Sequence, residues 1–374
     1  MDRLRAFDWG GDPFEETGTG THPFRTRLVN GRCYFLRENN LCRIQCELSY
    51  EMKPAGCRAF PLAVLEVGGQ RFARLSYWCP SVIANTGKAL AHQTRWINET
   101  AREVDRRTEP LRINESAEIG LEDFERLHGS LRRLLVAPLP VGQRLAAAAT
   151  LIRRLDAAAR GTSSLVVGEV IQVAEAAGAT ALATETRLAA HAAAGRRVLS
   201  WFLLQDRPPG RLSLVLRFLS IVLFNLRVGR LRCRAVDAKV SWGQMLRVRL
   251  EPSPEGVRLL TRYLEEKVES RRYVAGDTTL VAGFNVLVIA YAMANLVARA
   301  KAASAGRLSC SDDDVREGIA VADLLVVEHS AVYQGRVQQR LVQAALGHTD
   351  LCGDVMTLLD AAPSSDTANQ HETR

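Results

Sequence analysis

Five of the eight cysteines in this chain of 374 residues fall between Cys33 and Cys79: Cys33, Cys42, Cys46, Cys57 and Cys79. The intervals hold eight residues between Cys33 and Cys42, three to Cys46, ten to Cys57 and twenty-one to Cys79. Thiolates gathered in space are soft ligands suited to a tetrahedral zinc ion or an iron–sulfur cluster. These spacings are neither the C-x2-C knuckle of a zinc ribbon nor the C-x2-C-x2-C run of a bacterial ferredoxin. Two plainer uses compete. Cysteine also serves as a small buried hydrophobe, and disulfides form in oxidising compartments. Met1 is followed by polar Asp2, Arg3 and Arg5 with no apolar run, so the expectation is a cytoplasmic protein with reduced thiols. Clustering then favours metal coordination.

Local signals suggest how the thiols meet. Pro61–Val67 and Gln70–Tyr77 read as extended segments joined by Gly68-Gly69, a two-residue loop whose glycines accept the positive φ of a tight hairpin turn. Such a hairpin pairs residues whose numbers sum to about 137 and is expected to bring Cys57 and Cys79 to its open end. Cys33 and Cys42 flank the polar stretch Arg37-Glu38-Asn39-Asn40, expected to fold back and supply a second pair.

The motif series is informative as a whole. Gly31-Arg32-Cys33-Tyr34-Phe35-Leu36, Leu41-Cys42-Arg43-Ile44-Gln45, Lys53-Pro54 running to Cys57-Arg58-Ala59-Phe60-Pro61, and Cys79-Pro80 resemble the YkgJ-type cysteine-cluster family, described as zinc- or iron-chelating. The C-x-I-Q form at Cys42–Gln45 is similar to its flagellin lysine-N-methylase branch. That resemblance implies an iron–sulfur cluster or zinc, S-adenosylmethionine as methyl donor, and a protein substrate such as flagellin. It implies Cys33, Cys42, Cys57 and Cys79 as metal ligands, with Cys46 outside the usual pattern as a substitute ligand or a bystander. Family members begin with a further C-x2-C-x2-C-C group, which this sequence lacks. Because Leu4-Arg5-Ala6-Phe7-Asp8-Trp9 resembles the interior of the pattern, the expectation is that coding sequence continues upstream of Met1.

The remaining chain must position this region. A hydrophobic fraction of 47% with 24% charged residues is ordinary for a globular protein. The net charge of +8 is carried almost wholly by arginine, lysine occurring only at Lys53, Lys88, Lys239, Lys267 and Lys301. Basic residues dispersed among acidic ones make solvated faces, not a nucleic-acid footprint, so no nucleic-acid partner is expected. Helical periodicity predicts helices over 118–136, 142–160, from Ser163 or Ser164 towards Gly178, and over 184–205. Ser253-Pro254 and Ser311-Asp312 read as helix starts, and 240–250 as a strand. The apolar stretch 279–298 is long enough to cross a bilayer core of about 30 Å, but Asn285, Asn295 and the lack of a matching second span point to a buried core helix. His92 reads as a surface histidine, and Cys233, Cys310 and Cys352 as ordinary thiols.

The fold class expected is therefore mainly α, with a small Cys-rich N-terminal domain containing a β-hairpin, packed on a large irregular helical domain. The divisions expected are a cysteine-cluster domain over 1–95, a helical domain over 96–361 and a disordered tail over 362–374. Two functions follow. One is a metal-binding protein with lysine N-methyltransferase activity; the other is a non-enzymatic module in which structural zinc supports protein interaction. The residues identify neither a catalytic base nor a site for S-adenosylmethionine, since no strand with a Gly-rich turn and a following acid is present.

Overall fold

The computed structural model describes residues 4, 6–16, 24–29, 32–39, 41–100, 105–106, 110–161, 166–185, 193–203, 211–233, 236–250, 253–275, 278–328, 346–347 and 351–360. The region 362–374, expected as a tail, lies outside them. The chain divides into two compact units, Met1–Phe60 and Pro61–Arg374. The architecture is mainly helical, with a small N-terminal region of short antiparallel hairpins and an aromatic cluster.

In the first unit, β1 (Phe14–Glu16) pairs antiparallel with β2 (Phe24–Thr26), and β3 (Leu28–Val29) with β4 (Arg32–Cys33). Two single-turn helices follow, α1 (Arg43–Glu47) and α2 (Ala55–Ala59). Strands and helices this short cannot bury an extended apolar face, so stability must come from a compact side-chain cluster. Leu4, Trp9, Phe14, Phe35 and Ile44 provide it. Trp9 meets Phe35 edge to face at 4.8 Å and Phe7 at 4.5 Å, and its indole N–H donates to the Leu4 carbonyl.

The second unit opens with the hairpin β5 (Leu62–Val67) and β6 (Gln70–Leu75). Its register runs from Leu62 opposite Leu75 to Val67 opposite Gln70, as the turn chemistry predicts, and Gly68 and Gly69 both adopt positive φ. After α3 (Pro80–Ile83) and α4 (Thr94–Thr100), β7 (Asp105–Arg106) adds in parallel to β5, and β8 (Arg112–Asn114) pairs with β9 (Ala117–Glu118).

The helices that follow are α5 (Leu121–Leu135), α6 (Val141–Ala159), α7 (Val167–Thr184), α8 (Ala193–Leu203) and α9 (Arg211–Leu226). Gly178 does not end α7; with φ 77° and ψ 166° it kinks the helix, which continues to Thr184. Ser163 and Ser164, expected as caps, lie outside the described residues. The strand expected over 240–250 is shorter than predicted. Only β11 (Ala238–Ser241) is extended, paired with β10 (Arg230–Cys233), and the chain then enters α10 (Trp242–Arg247). Ser241 causes the change: its hydroxyl accepts from the Gln244 N–H while the Gln244 side chain accepts from the Ser241 N–H. That reciprocal cap starts a helix inside an alternating apolar pattern.

Ser253 caps α11 (Pro254–Glu269) by accepting from the Gly256 N–H, and Ser311 caps α13 (Asp312–Ala322). Between them α12 (Leu280–Ser304) is the axis of the core. It is long and apolar enough to cross a membrane by length and composition, with a mean hydropathy of 2.0 in its most apolar stretch, and that stretch is entirely buried within the protein. Gly318 of α13 lets the helices close: a Cβ there would stand 2.3 Å from the Ala294 carbonyl oxygen. Beyond Ala322 the chain makes a π-helical turn, Asp323–Glu328, and α14 (Leu351–Asp360) completes the unit.

Candidate metal-binding site

Cys33, Cys42, Cys46 and Cys57 belong to the first unit, and each is placed by a separate local device. Cys33 ends β4 opposite Leu28. The chain then returns at Leu41 and Cys42, through the Leu36–Cys42 bridge and the Arg37 N–H donating to the Leu41 carbonyl; Asn40 lies outside the described residues. Cys42 is the N-cap of α1, and the Cys46 N–H donates to its carbonyl at 3.1 Å. Residues four apart in a helical turn share a face. Cys46 is exposed, whereas Cys33 and Cys42 are half-buried and pack against the aromatic cluster.

Around this turn, Arg43 lies over the Trp9 ring at 5.2 Å and bonds Glu47 through Nε at 3.0 Å; Arg37 reaches the same carboxylate at 2.8 Å. The hydrogen bond from Arg43, then that from Arg37, holds the Glu47 carboxyl down at about 2. Glu47 is thus a carboxylate committed to two guanidinium partners.

Cys57 sits in α2, whose N-cap is Pro54, and the motif residues around it hold one another. The Arg58 guanidinium donates to the carbonyls of Glu51 at 2.7 Å and Lys53 at 2.9 Å. Tyr50 donates its hydroxyl to the Arg58 carbonyl, and Lys53 lies over the Tyr50 ring while donating to Gln45 at 3.3 Å. Gln45 and Lys53 therefore link the Leu41–Gln45 and Lys53–Pro61 motifs. The sequence gives no reason to single out either for this contact, because it depends on α1 and α2 meeting in space.

Cys57 is exposed as a residue, yet surrounding atoms desolvate its thiolate enough to raise its pKa. Cys33 and Cys42 raise it further by like-charge repulsion, and the Lys53 ammonium opposes them. Three cysteines distant in sequence are thereby brought into electrostatic range. Among the described residues, however, no three His, Cys, Asp or Glu side chains are gathered closely enough to hold a metal ion. Charge–charge influence extends over several ångströms, whereas zinc–sulfur bonds are about 2.3 Å. The chemistry of the set fits a thiophilic cation, whose positive charge would offset the mutual repulsion of the thiolates.

Cys79 belongs to the second unit. It is half-buried and is the N-cap of α3, with Pro80 at the first helical position. The hairpin strands stop at Leu62 and Leu75, short of both Cys57 and Cys79. The chain leading to Cys79 is anchored by a buried charge cluster. Lys267, fully buried, contacts Asp323 and Glu266 at 2.9 Å each and donates to the Leu75 carbonyl at 2.9 Å. Asp323 accepts from the Tyr77 N–H at 2.6 Å and the Ser76 hydroxyl at 3.2 Å, and Glu266 accepts from the Leu75 N–H at 2.9 Å. Burial raises the Glu266 pKa, with Lys267 acting against that rise.

The other cysteines are separate from this chemistry. Burial pushes Cys310 up to about 11 and Cys352 up to about 12, keeping both as thiols. Cys233 is buried in the main core, and His92 is exposed at the end of a 3-10 turn. Comparison of the chain with family models, curated proteins and solved structures gives no match.

Proposed function

We propose that the first unit binds a metal, zinc or the iron of an iron–sulfur cluster, through Cys33, Cys42 and Cys57. The observation that carries this reading is the like-charge influence of Cys33 and Cys42 on the Cys57 thiol within one small unit. Cys46, one helical turn beyond Cys42, is the remaining thiol of that unit and a candidate fourth ligand. Closed four-thiolate coordination would serve a structural role, whereas an open position would admit substrate. S-adenosylmethionine-dependent methylation of a protein lysine, with flagellin as the example, rests on the resemblance of the motifs alone.

Iron, zinc and acid-labile sulfide content on anaerobically purified protein tests the proposal, with Cys57→Ala and Cys79→Ala as separate variants. Metal retained by the wild type and lost on Cys57→Ala is the expected result. The Cys79→Ala result decides whether that thiol is also a ligand. Metal-free wild-type protein after reconstitution with zinc and with iron plus sulfide would overturn the proposal. Labelled S-adenosylmethionine with flagellin then distinguishes the catalytic reading, which requires label transfer by the metallated protein, from the structural one.

A further inference from the structure

A hollow of about 170 Å³ lies between α5, α6 and α7 of the second unit. Its apolar wall includes Leu134, Leu151 and Leu182, the last two fully buried. On α7 the facing residues are small, Ala174 and Ala179, and the Gly178 kink interrupts the helix between them. Larger side chains at these alanines would occupy the space.

The remaining lining is polar. Ser130 is 3% exposed and its hydroxyl lies 2.6 Å from a Glu175 carboxylate oxygen, 3.0 Å from the Arg126 carbonyl and 3.1 Å from an Arg133 nitrogen. Arg133 and Glu175 also pair directly, and both side chains reach solvent, which puts them at the mouth. The mouth therefore presents donors from a guanidinium and lone pairs from a carboxylate, with no net charge.

We propose that this hollow is a binding site for a small, uncharged molecule with a compact apolar body, such as a single aromatic ring, and one hydroxyl. Size sets the first part: an apolar cavity of about 150 Å³ admits benzene. The polar mouth sets the second. A ligand hydroxyl accepts from Arg133 and donates to Glu175, while a ligand carboxylate meets Glu175 with like charge and a ligand ammonium meets Arg133 in the same way. This site is separate from the cysteine chemistry, and its test does not depend on metal content.

Phenol is the probe, titrated by calorimetry into the full-length protein beside benzene and benzoate. Saturable binding of phenol is expected, about tenfold tighter than benzene, the ratio expected of a hydrogen bond to a charged group. Ala179→Leu and, independently, Ala174→Val fill the hollow; either, with its cooperative melt preserved, is expected to abolish phenol binding. Glu175→Ala is expected to retain benzene and to shrink the phenol preference to less than about threefold. Absence of saturable phenol binding, equal affinity for benzene and phenol, or phenol binding unchanged in a folded cavity-filling variant would overturn the assignment.

Discussion

His128 gives the second unit a stability that depends on acidity in a predictable direction. The imidazole is buried on α5, with Nδ1 3.1 Å from the Tyr273 hydroxyl and its ring parallel to the tyrosine ring. Burial is the largest cause lowering its pKa to about 4; the Arg271 guanidinium adds to this, Glu125 opposes it, and Arg132 lowers it slightly more. An unfolded chain takes up this proton near 6.5, whereas the folded protein resists until about 4. Between those values the unfolded state binds more protons, so stability must fall as pH falls through the window and be fully present above it. At about 1.4 kcal/mol per pH unit, the window corresponds to a loss of roughly 3 kcal/mol by pH 4. Urea unfolding of wild type and His128→Gln from pH 7.5 to 4 measures it, because glutamine keeps a polar partner for Tyr273 but does not titrate. The wild type is expected to lose about 3 kcal/mol more than the variant across the window. Equal losses, or an NMR titration of His128 with a midpoint near 6.5, would show that the fold does not hold this imidazole neutral.

Three further perturbations probe packing, buried charge and ligation. Gly318→Ala should destabilise by about 1–3 kcal/mol despite alanine's better helix propensity, since its Cβ would press on the Ala294 backbone; Gly129→Ala, whose Cβ would meet only Arg133 at 3.6 Å, should stabilise slightly in the same urea assay. Lys267→Met leaves Asp323 and Glu266 buried without their cation and should cost about 3–5 kcal/mol, part of it recovered in a Lys267→Met, Asp323→Asn double variant, as read from denaturation midpoints. Chelation of metallated protein should lower the hydrogen-exchange protection of 32–60 while leaving that of α12 unchanged.

The hairpin was legible because Gly68-Gly69, both of positive φ, joins two extended segments, and a two-residue turn specifies the register. The capped helices at Ser253 and Ser311 were legible for a similar reason: the cap and its partner are three residues apart. Residues 240–250 misled because the alternation of Val240, Trp242, Leu246, Val248 and Leu250 carries burial in either conformation, and the Ser241–Gln244 cap decided between them. Asp314 accepts from the Ser311 N–H and pairs with Arg307, so the acid at the third position of α13 completes the cap that Ser311 begins. Lys267 and Asp323 were not legible at all. Fifty-five residues lie between them, and only the meeting of α11 with the π-helical turn makes them partners. At the candidate site the thiols stood out by type, but Arg58, Lys53 and Gln45 gained their roles from contacts between two short helices.

Size gives the metal reading a thermodynamic consequence of its own. Among the described residues of the first unit, the buried apolar cluster is Leu4, Trp9, Phe14, Phe35 and Ile44. Its strands are two or three residues long and α1 and α2 are five residues each. Elements of that length contribute little cooperative stability, and units this small commonly depend on a covalent or metal cross-link. Cys33 ends β4, Cys42 caps α1 and Cys57 lies in α2, so one ion bound by all three would cross-link three segments that the apolar cluster otherwise joins. If it does, metal binding and order in 32–60 rise together with metal concentration, and Cys57→Ala removes both. If protection there is the same with and without metal, the aromatic cluster suffices, and any ion bound at these thiols is free to serve chemistry instead of folding.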